Sequence, residues 1–189
     1  MRAMPFAVAV LAIGTFPVFG SAINTDGTYY EFNFGTAPFL AVGCNNPTDT
    51  NCSLTTNPVA NVTNTSPWLF TGPATLFILD LGDIGDRFSW TDSIGGGSGT
   101  TSDVGNPGTN PCGFDIGCAT INAYSKGSFA LGGGDHSLQI TLIQNASGTT
   151  FGQAVFSVTA IPEPGTIGLL GAGLLALALG QRRRNRRAQ

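Results

Sequence analysis

The alternation that decides the fold lies at residues 137–142, Ser137-Leu138-Gln139-Ile140-Thr141-Leu142, where every second side chain is apolar. A similar alternation recurs within residues 28–34 and 154–161. Because successive side chains of a strand point to opposite faces, a period of two is typical of a sheet with one buried face. The sequence therefore predicts an all-β body built from antiparallel strands.

Outward from this stretch, short segments with strand character are separated by clusters of Gly, Pro, Asn and Asp. They are Thr28–Phe34, Trp68–Phe70, Thr75–Leu81, Arg87–Thr91, Ser128–Leu131, Ser137–Ile143 and Ala154–Ile161. No window of the body offers three clean helical turns, and residues 76–81 are apolar on both faces apart from Asp80. We predict an antiparallel β-sandwich of the jelly-roll type over residues 23–160, with a less specific β-sandwich as the alternative.

All four cysteines lie in the two long segments 41–66 and 92–123, which are poor in apolar residues. An even number of cysteines is consistent with disulfides, which persist in oxidising compartments outside the cytoplasm, and four cysteines allow three pairings. Neighbours in one loop meet at the lowest entropic cost, so we predict the pairs Cys44–Cys52 and Cys112–Cys118. A zinc site is the alternative, but the cysteine spacing and the single histidine fit it poorly.

Charge is strongly segregated along the chain, although the net charge of the whole is only −3. Between residues 23 and 161, Arg87 and Lys126 are the only basic residues and face ten acidic ones. Such a surface repels phosphate backbones, so we expect no nucleic-acid partner.

The N-terminal 22 residues have the layout of a secretory signal peptide. Arg2 precedes a mostly apolar run, and Gly20 and Ala22 place small residues at the −3 and −1 positions of a cut after Ala22. We therefore predict cleavage by signal peptidase and export across the inner membrane.

The C-terminal residues 161–189 contain three parts in a fixed order. The tripeptide Pro162-Glu163-Pro164 is followed by an uncharged run over residues 165–180 and then by an arginine block. The prolines favour an extended backbone around Glu163, and the apolar run predicts a short membrane-spanning helix. Arginines resist translocation, so this block predicts a cytoplasmic end; its members are Arg182, Arg183, Arg184, Arg186 and Arg187.

Together, these three parts resemble the PEP-CTERM sorting signal, a tail that is also catalogued as an ice-binding protein C-terminal domain. The resemblance implies recognition of Pro162, Glu163 and Pro164 by exosortase, a membrane-embedded enzyme that cleaves near the motif. It also implies an envelope or extracellular-matrix destination in a bacterium rich in exopolysaccharide, with membrane anchoring before the cut. We draw no ice-binding inference from it.

A second, looser resemblance covers residues 68–158. The segments Gly85-Asp86-Arg87-Phe88 and 124–140 are similar to the body of an uncharacterised group of PEP-CTERM proteins. Relatives in that group tend to have an Asp-Asn-Gly turn after this strand, whereas here Asp92 leads into a longer loop through Gly95. The group has no known activity to carry over.

We expect neither a cofactor nor catalytic residues. His136 is the only histidine, and neither a G-x-S-x-G elbow nor a phosphate-binding glycine loop is present. Paired carboxylates of a hydrolase would depend on the fold. The acidic turn with Asp80, Asp83 and Asp86 is a weak calcium candidate, because hard cations take carboxylate oxygens, although such residues are also ordinary turn formers.

For the mature body we expect a non-enzymatic envelope or matrix role. The alternative is a carbohydrate-binding module in which exposed aromatic rings stack on sugars. Its candidate residues are Trp68, Trp90, Tyr29 and Tyr124. Exposure of these rings on one sheet face would favour sugar binding, and burial would disfavour it.

Overall fold

The computed structural model describes residues 20–44, 52, 60–61, 66–162, 165 and 172–173. Ten strands and one helix lie in these ranges: β1 Ser21–Ala22, β2 Asp26–Phe34, β3 Phe39–Leu40, β4 Val42–Gly43, β5 Ala60–Asn61, β6 Trp68–Leu81, β7 Arg87–Asp92, β8 Ser98–Thr100, α1 Ile116–Ile121, β9 Lys126–Gln144 and β10 Gly152–Ala160. Of the flanking helices predicted for the two sorting segments, only residues 165 and 172–173 of the C-terminal one are among the described residues, and these have helical backbone. Within the described part, no helix is both long and apolar enough to cross a membrane.

One sheet contains all the strands, in the order β4-β2-β10-β6-β9-β7-β8 with β1, β3 and β5 alongside. Pairing along this order is antiparallel, and only the short strands β1 and β5 pair in parallel with their neighbours. The rings of Phe32 on β2 and Phe88 on β7 lie 5.4 Å apart although three strands separate them in the order. The sheet is therefore curled. The all-β antiparallel prediction is confirmed; the jelly-roll sandwich is not, because the strands form one curled sheet.

The sheet curls around a larger core of aromatic and aliphatic side chains. At its centre, Trp68 stacks on Phe156 with the ring centroids 4.5 Å apart, and Phe32 contacts both. Burial of each such side chain contributes about 1.5–3 kcal/mol, so this cluster supplies much of the driving force for folding. The alternating residues Leu138, Ile140 and Leu142 belong to the same core, as the sequence pattern predicts.

Two strands are longer than the sequence predicts. β6 joins the predicted strands 68–70 and 75–81 through Gly72-Pro73, and its register with β9 shifts between Gly72 and Ala74. Such an irregularity accommodates a proline, which has no N–H to donate to the ladder. β9 likewise continues through residues 132–135, which interrupt the apolar pattern without ending the strand.

A smaller core lies under the segment that carries α1. Ile116 and Ala119 of the helix belong to the same buried cluster as Leu79, Tyr124 and Val155. The six-residue helix begins at an Asp115 cap, whose carboxylate accepts a hydrogen bond from the Cys118 N–H at 2.9 Å. At its other end, Lys126 Nζ donates to the carbonyls of Thr120 and Asn122, where the helix dipole favours a positive charge.

Candidate functional site

The C-terminal tripeptide begins where the last strand leaves the sheet. The Ala160 N–H donates to the Thr25 carbonyl at 2.8 Å, and the Ile161 N–H donates to the Pro73 carbonyl at 2.9 Å. Pro162 follows, exposed and without an N–H. Outside the described residues lie Glu163, Pro164, Arg182, Arg183, Arg184, Arg186 and Arg187. The start of the predicted sorting signal is thus attached directly to a strand in the middle of the sheet.

Both predicted disulfides are present. Cys44 is bonded to Cys52 and Cys112 to Cys118, so each bond closes a short loop within one of the two long segments. The Cys112–Cys118 bond encloses the start of α1. All four cysteines are consumed by these bonds, and none is free to ligate zinc.

The acidic turn does not bring its three aspartates together in one environment. Asp80 and Asp86 are fully buried, whereas Asp83 is half-buried. Burial raises the pKa of Asp86 to about 7; burial and then the negative charge of Asp86 raise the pKa of Asp80 well above its usual value. Among the residues that the structure describes, no group of three or more His, Cys, Asp or Glu side chains could hold a metal ion. The calcium hypothesis gains no support.

A buried ion pair that the sequence analysis missed joins β7 to β9. Asp92 Oδ2 lies 2.5 Å from His136 Nδ1, and His136 Nε2 lies 2.9 Å from the Gly132 carbonyl oxygen. A carbonyl oxygen only accepts hydrogen bonds, so His136 Nε2 donates to Gly132, while Nδ1 is hydrogen-bonded to the Asp92 carboxyl group. The ring also stacks on Phe70, with the centroids 4.8 Å apart.

Asp92 has several partners besides the histidine. Its Oδ1 accepts hydrogen bonds from the N–H groups of Ser137, Gly95 and Ile94 at 2.9, 3.0 and 3.2 Å. Burial raises the pKa of Asp92, but the hydrogen bonds from His136 and these backbone groups outweigh it and hold the pKa below its usual value. Asp92 therefore stays ionised and fastens the turn after β7 to β9.

An open cavity of about 440 Å³ lies beside this pair. Its lining is mostly apolar and consists of Ala22, Ile23, Leu69, Phe70, Thr71, Ile94, Asp135 and His136. Both ring nitrogens of His136 are occupied, by Asp92 and by Gly132, so neither is available to activate a nucleophile. The Asp92–His136 pair therefore has a structural role, which is to link β7 to β9.

Most of the aromatic residues that were candidates for stacking on a sugar are buried in the protein. Trp68, Trp90 and Tyr124 are buried, and Tyr29 is half-buried with its ring edge-on to Phe77 at 6.4 Å. The Tyr124 hydroxyl donates to the Gly82 carbonyl at 2.9 Å, which is a structural role. Three of the four candidate rings cannot stack on a sugar in this structure.

Comparison with known families adds one finding. Residues 160–184 match the family model of the PEP-CTERM protein-sorting motif. This match begins at the last residue of β10 and includes Pro162, Glu163 and Pro164, which confirms the resemblance of the tail. No curated protein and no solved structure matches the chain, and the resemblance of residues 68–158 to the uncharacterised group stays a prediction. The motif implies an exported protein that exosortase sorts to the envelope or extracellular space.

Proposed function

We propose that this exosortase-sorted protein is a non-enzymatic component of the cell envelope or extracellular matrix, associated with exopolysaccharide. Signal peptidase and exosortase are its processing partners, and the inner membrane holds it transiently between the two cuts. The single observation that carries the proposal is the sorting motif attached directly to the end of a folded, disulfide-bonded body. Disulfides persist in oxidising compartments, which is consistent with export.

Two features of the body support a binding or scaffolding role. The single histidine is held between Asp92 and Gly132, and its position gives no support to a nucleophilic mechanism. The body is strongly acidic, which keeps it soluble and favours cationic over phosphate-bearing partners.

The first test is the Glu163→Ala variant of the full chain, produced in an exosortase-positive host. We expect this variant to keep its tail, which gel mobility and intact mass would detect. The matched control is Thr166→Ala, a substitution in the tail outside the tripeptide, which we expect to be processed normally. An exosortase-deficient host should leave the wild-type chain uncut. Normal processing of Glu163→Ala would contradict the sorting proposal.

The second test addresses the destination. In a host that lacks exopolysaccharide, we expect the processed wild-type protein to shift from the cell-bound fraction to the medium. Equal retention in hosts with and without exopolysaccharide would contradict the matrix association and leave the sorting step intact.

A further inference from the structure

We propose that the outer face of β7, β8 and the adjoining part of β9 binds a neutral polysaccharide through two rows of hydroxyl and amide side chains. This inference rests on the proposed association with exopolysaccharide, and it names the surface and the chemical class of the partner. We name this surface the hydroxyl face. Its members are Ser89, Thr91, Ser98, Thr100, Gln139 and Thr141.

Strand pairing arranges these six side chains in two rows across the sheet. Residues that pair directly in an antiparallel ladder have their side chains on the same face. Neighbouring strands lie about 4.8 Å apart, and alternate residues of one strand lie roughly 6.8 Å apart, so the six polar groups form a regular grid. From β8 through β7 to β9, one row is Thr100, Ser89 and Thr141, and the other is Ser98, Thr91 and Gln139.

The opposite face of the same strands is packed against the larger core. Trp90 of β7 pairs with Ile140 of β9, and both are buried in that core. Trp90 also contacts Phe129, with the ring centroids 5.1 Å apart. A Cβ on Gly99 would lie 2.6 Å from Trp90 Nε1, so β8 is pressed against the same ring. Because the core holds these strands in place, the hydroxyl face is ordered before a ligand arrives, which lowers the entropic cost of binding.

The polar groups of the hydroxyl face are accessible. Four of its members are exposed and two are half-buried; the half-buried ones are Ser89 and Thr141. Ser89 Oγ donates to the Thr141 carbonyl at 3.4 Å. Within the part of the chain that the structure describes, the side chains of the other five members make no hydrogen bond. Each of these groups can both donate and accept, as the hydroxyl groups of a polysaccharide do.

The hydroxyl face carries no charge, although the body around it is strongly acidic. Arg87, at the start of β7, is paired with Asp103 at 3.4 Å. Asp92, at the end of β7, is buried and paired with His136. Between residues 23 and 161, ten acidic residues oppose two basic ones, so the body repels phosphate chains, acidic polysaccharides and a second copy of itself. A neutral polyhydroxyl chain meets no such repulsion.

Two exposed apolar side chains border the grid on its β9 side. Leu40 of β3 pairs with Thr141, and Ile143 is the next residue of β9 on the same face. Leu40 is 40 % exposed and Ile143 is 41 % exposed. Sugar rings present C–H groups as well as hydroxyl groups, so an apolar border beside polar rows suits both. Since none of these side chains is aromatic, affinity depends on many weak contacts acting together, and we expect binding of a polymer rather than of a single sugar.

Affinity electrophoresis of the full chain in detergent tests the class of partner. The gels contain dextran, hydroxyethyl cellulose or galactomannan as neutral polymers, and alginate as the acidic one. We expect at least one neutral polymer to retard the protein, alginate to leave its mobility unchanged, and the retardation to persist from about 0.05 M to about 0.5 M salt. Absence of retardation by every neutral polymer would overturn the inference. Stronger retardation by alginate, or retardation that salt abolishes, would do the same.

A pair of double variants locates the surface. Thr91→Val/Thr141→Val removes one hydroxyl group from each row and keeps the strand propensity of the residues. The matched control is Thr75→Val/Thr159→Val, which changes one half-buried and one exposed threonine that pair on β6 and β10. We expect at least about fivefold weaker binding in the first variant and a change within about twofold in the control, because only the first loses hydrogen bonds to the ligand. Urea unfolding checks that both remain folded. Unchanged binding in the first variant, or equal losses in both, would overturn the inference.

Two further measurements separate this inference from its alternatives. Sedimentation velocity of the full chain in detergent detects self-association, and a dimer that Thr91→Val/Thr141→Val dissociates would overturn the inference, because the face would then join two copies. In hosts with exopolysaccharide, retention of this variant at the wild-type level would overturn the inference alone. Equal retention of the wild type in hosts with and without exopolysaccharide would overturn the matrix association, whereas weaker binding of the variant to a neutral polymer in the gels would still support the hydroxyl face.

Discussion

Two pairs of buried ionisable residues lie at opposite ends of β6 and β7, and they differ in the groups that surround their carboxyl groups. At one end, Asp92 faces His136 and three backbone N–H groups. At the other, Asp80 lies close enough to Asp86 for the two negative charges to repel each other. Both environments remove water, so burial alone would raise the pKa of every carboxyl group in them.

The difference shows what decides the charge of a buried carboxyl group. Hydrogen bonds from His136 and from several backbone N–H groups outweigh the effect of burial, and the pKa of Asp92 is lowered. Asp86 accepts one backbone hydrogen bond, from Ala146 at 2.7 Å, and its pKa remains raised to about 7. At one end of the sheet, the Asp92–His136 pair therefore links β7 to β9. At the other end, the carboxyl groups of Asp80 and Asp86 have raised pKa values and bind their protons more tightly.

The largest expected effect comes from Asp92→Ala. This change would leave the buried His136 ring without its carboxyl partner and three N–H groups without an acceptor, which should destabilise the protein by about 3–5 kcal/mol. Urea unfolding of the full chain in detergent measures it. Asp103→Ala is the control, because its bond to Arg87 at 3.4 Å is exposed and should contribute at most about 1 kcal/mol. Equal losses in the two variants would contradict a stabilising role of the buried Asp92–His136 pair.

Gly95→Ala should have an intermediate effect by a different route. An added Cβ would collide with His136 Nδ1 and Asp92 Oδ2, so the ion pair or the turn would have to move. We expect a loss of about 1–3 kcal/mol, as for other overpacked sites. Gly132→Ala, on the neighbouring strand, meets nothing within 4 Å and should unfold at nearly the wild-type urea concentration. A neutral Gly95→Ala would mean that the pair does not restrict this turn.

The smallest expected effect is on the pH dependence of stability. It concerns Asp86, at the end of the sheet opposite Asp92. The Asp86 pKa is about 7 in the folded protein against an ordinary value of 3.8, so the folded state retains a proton that the unfolded chain loses. This contribution to stability is complete below about pH 4 and is lost as the pH rises through about 7. Glu31, whose pKa burial raises to about 7, acts in the same direction.

Asp86→Asn should therefore reduce the loss of stability between about pH 6 and about pH 8, by an amount on the order of 1–2 kcal/mol. The asparagine oxygen can still accept the Ala146 hydrogen bond, so the fold is retained. Urea unfolding at the two pH values measures the change. Asp103→Asn provides an exposed reference that should leave the pH dependence as in the wild type. An unaltered slope in Asp86→Asn would contradict the raised pKa.

Local sequence patterns predict much of the fold, and the predictions that are wrong also come from local patterns. The alternation at residues 137–142 correctly predicts a strand with one buried face, and loop closure correctly predicts both disulfides. The break predicted at Gly72-Pro73 is wrong, because pairing with β9 and β10 carries β6 through it. His136 continues the inward series of Leu138 and Ile140, a signal that a polar side chain there needs a buried partner.

By itself, the sequence determined the antiparallel β class, the two cysteine pairs and the sorting motif, because each depends on residues that are close together in the chain. Only the tertiary structure decided that the strands form one curled sheet, that Trp68 and Trp90 are buried, and that the residues around Ala22 are paired with β6. It also joined Asp92 to His136, 44 residues away. Such pairings depend on the path of the whole chain, which neither spacing nor composition encodes locally.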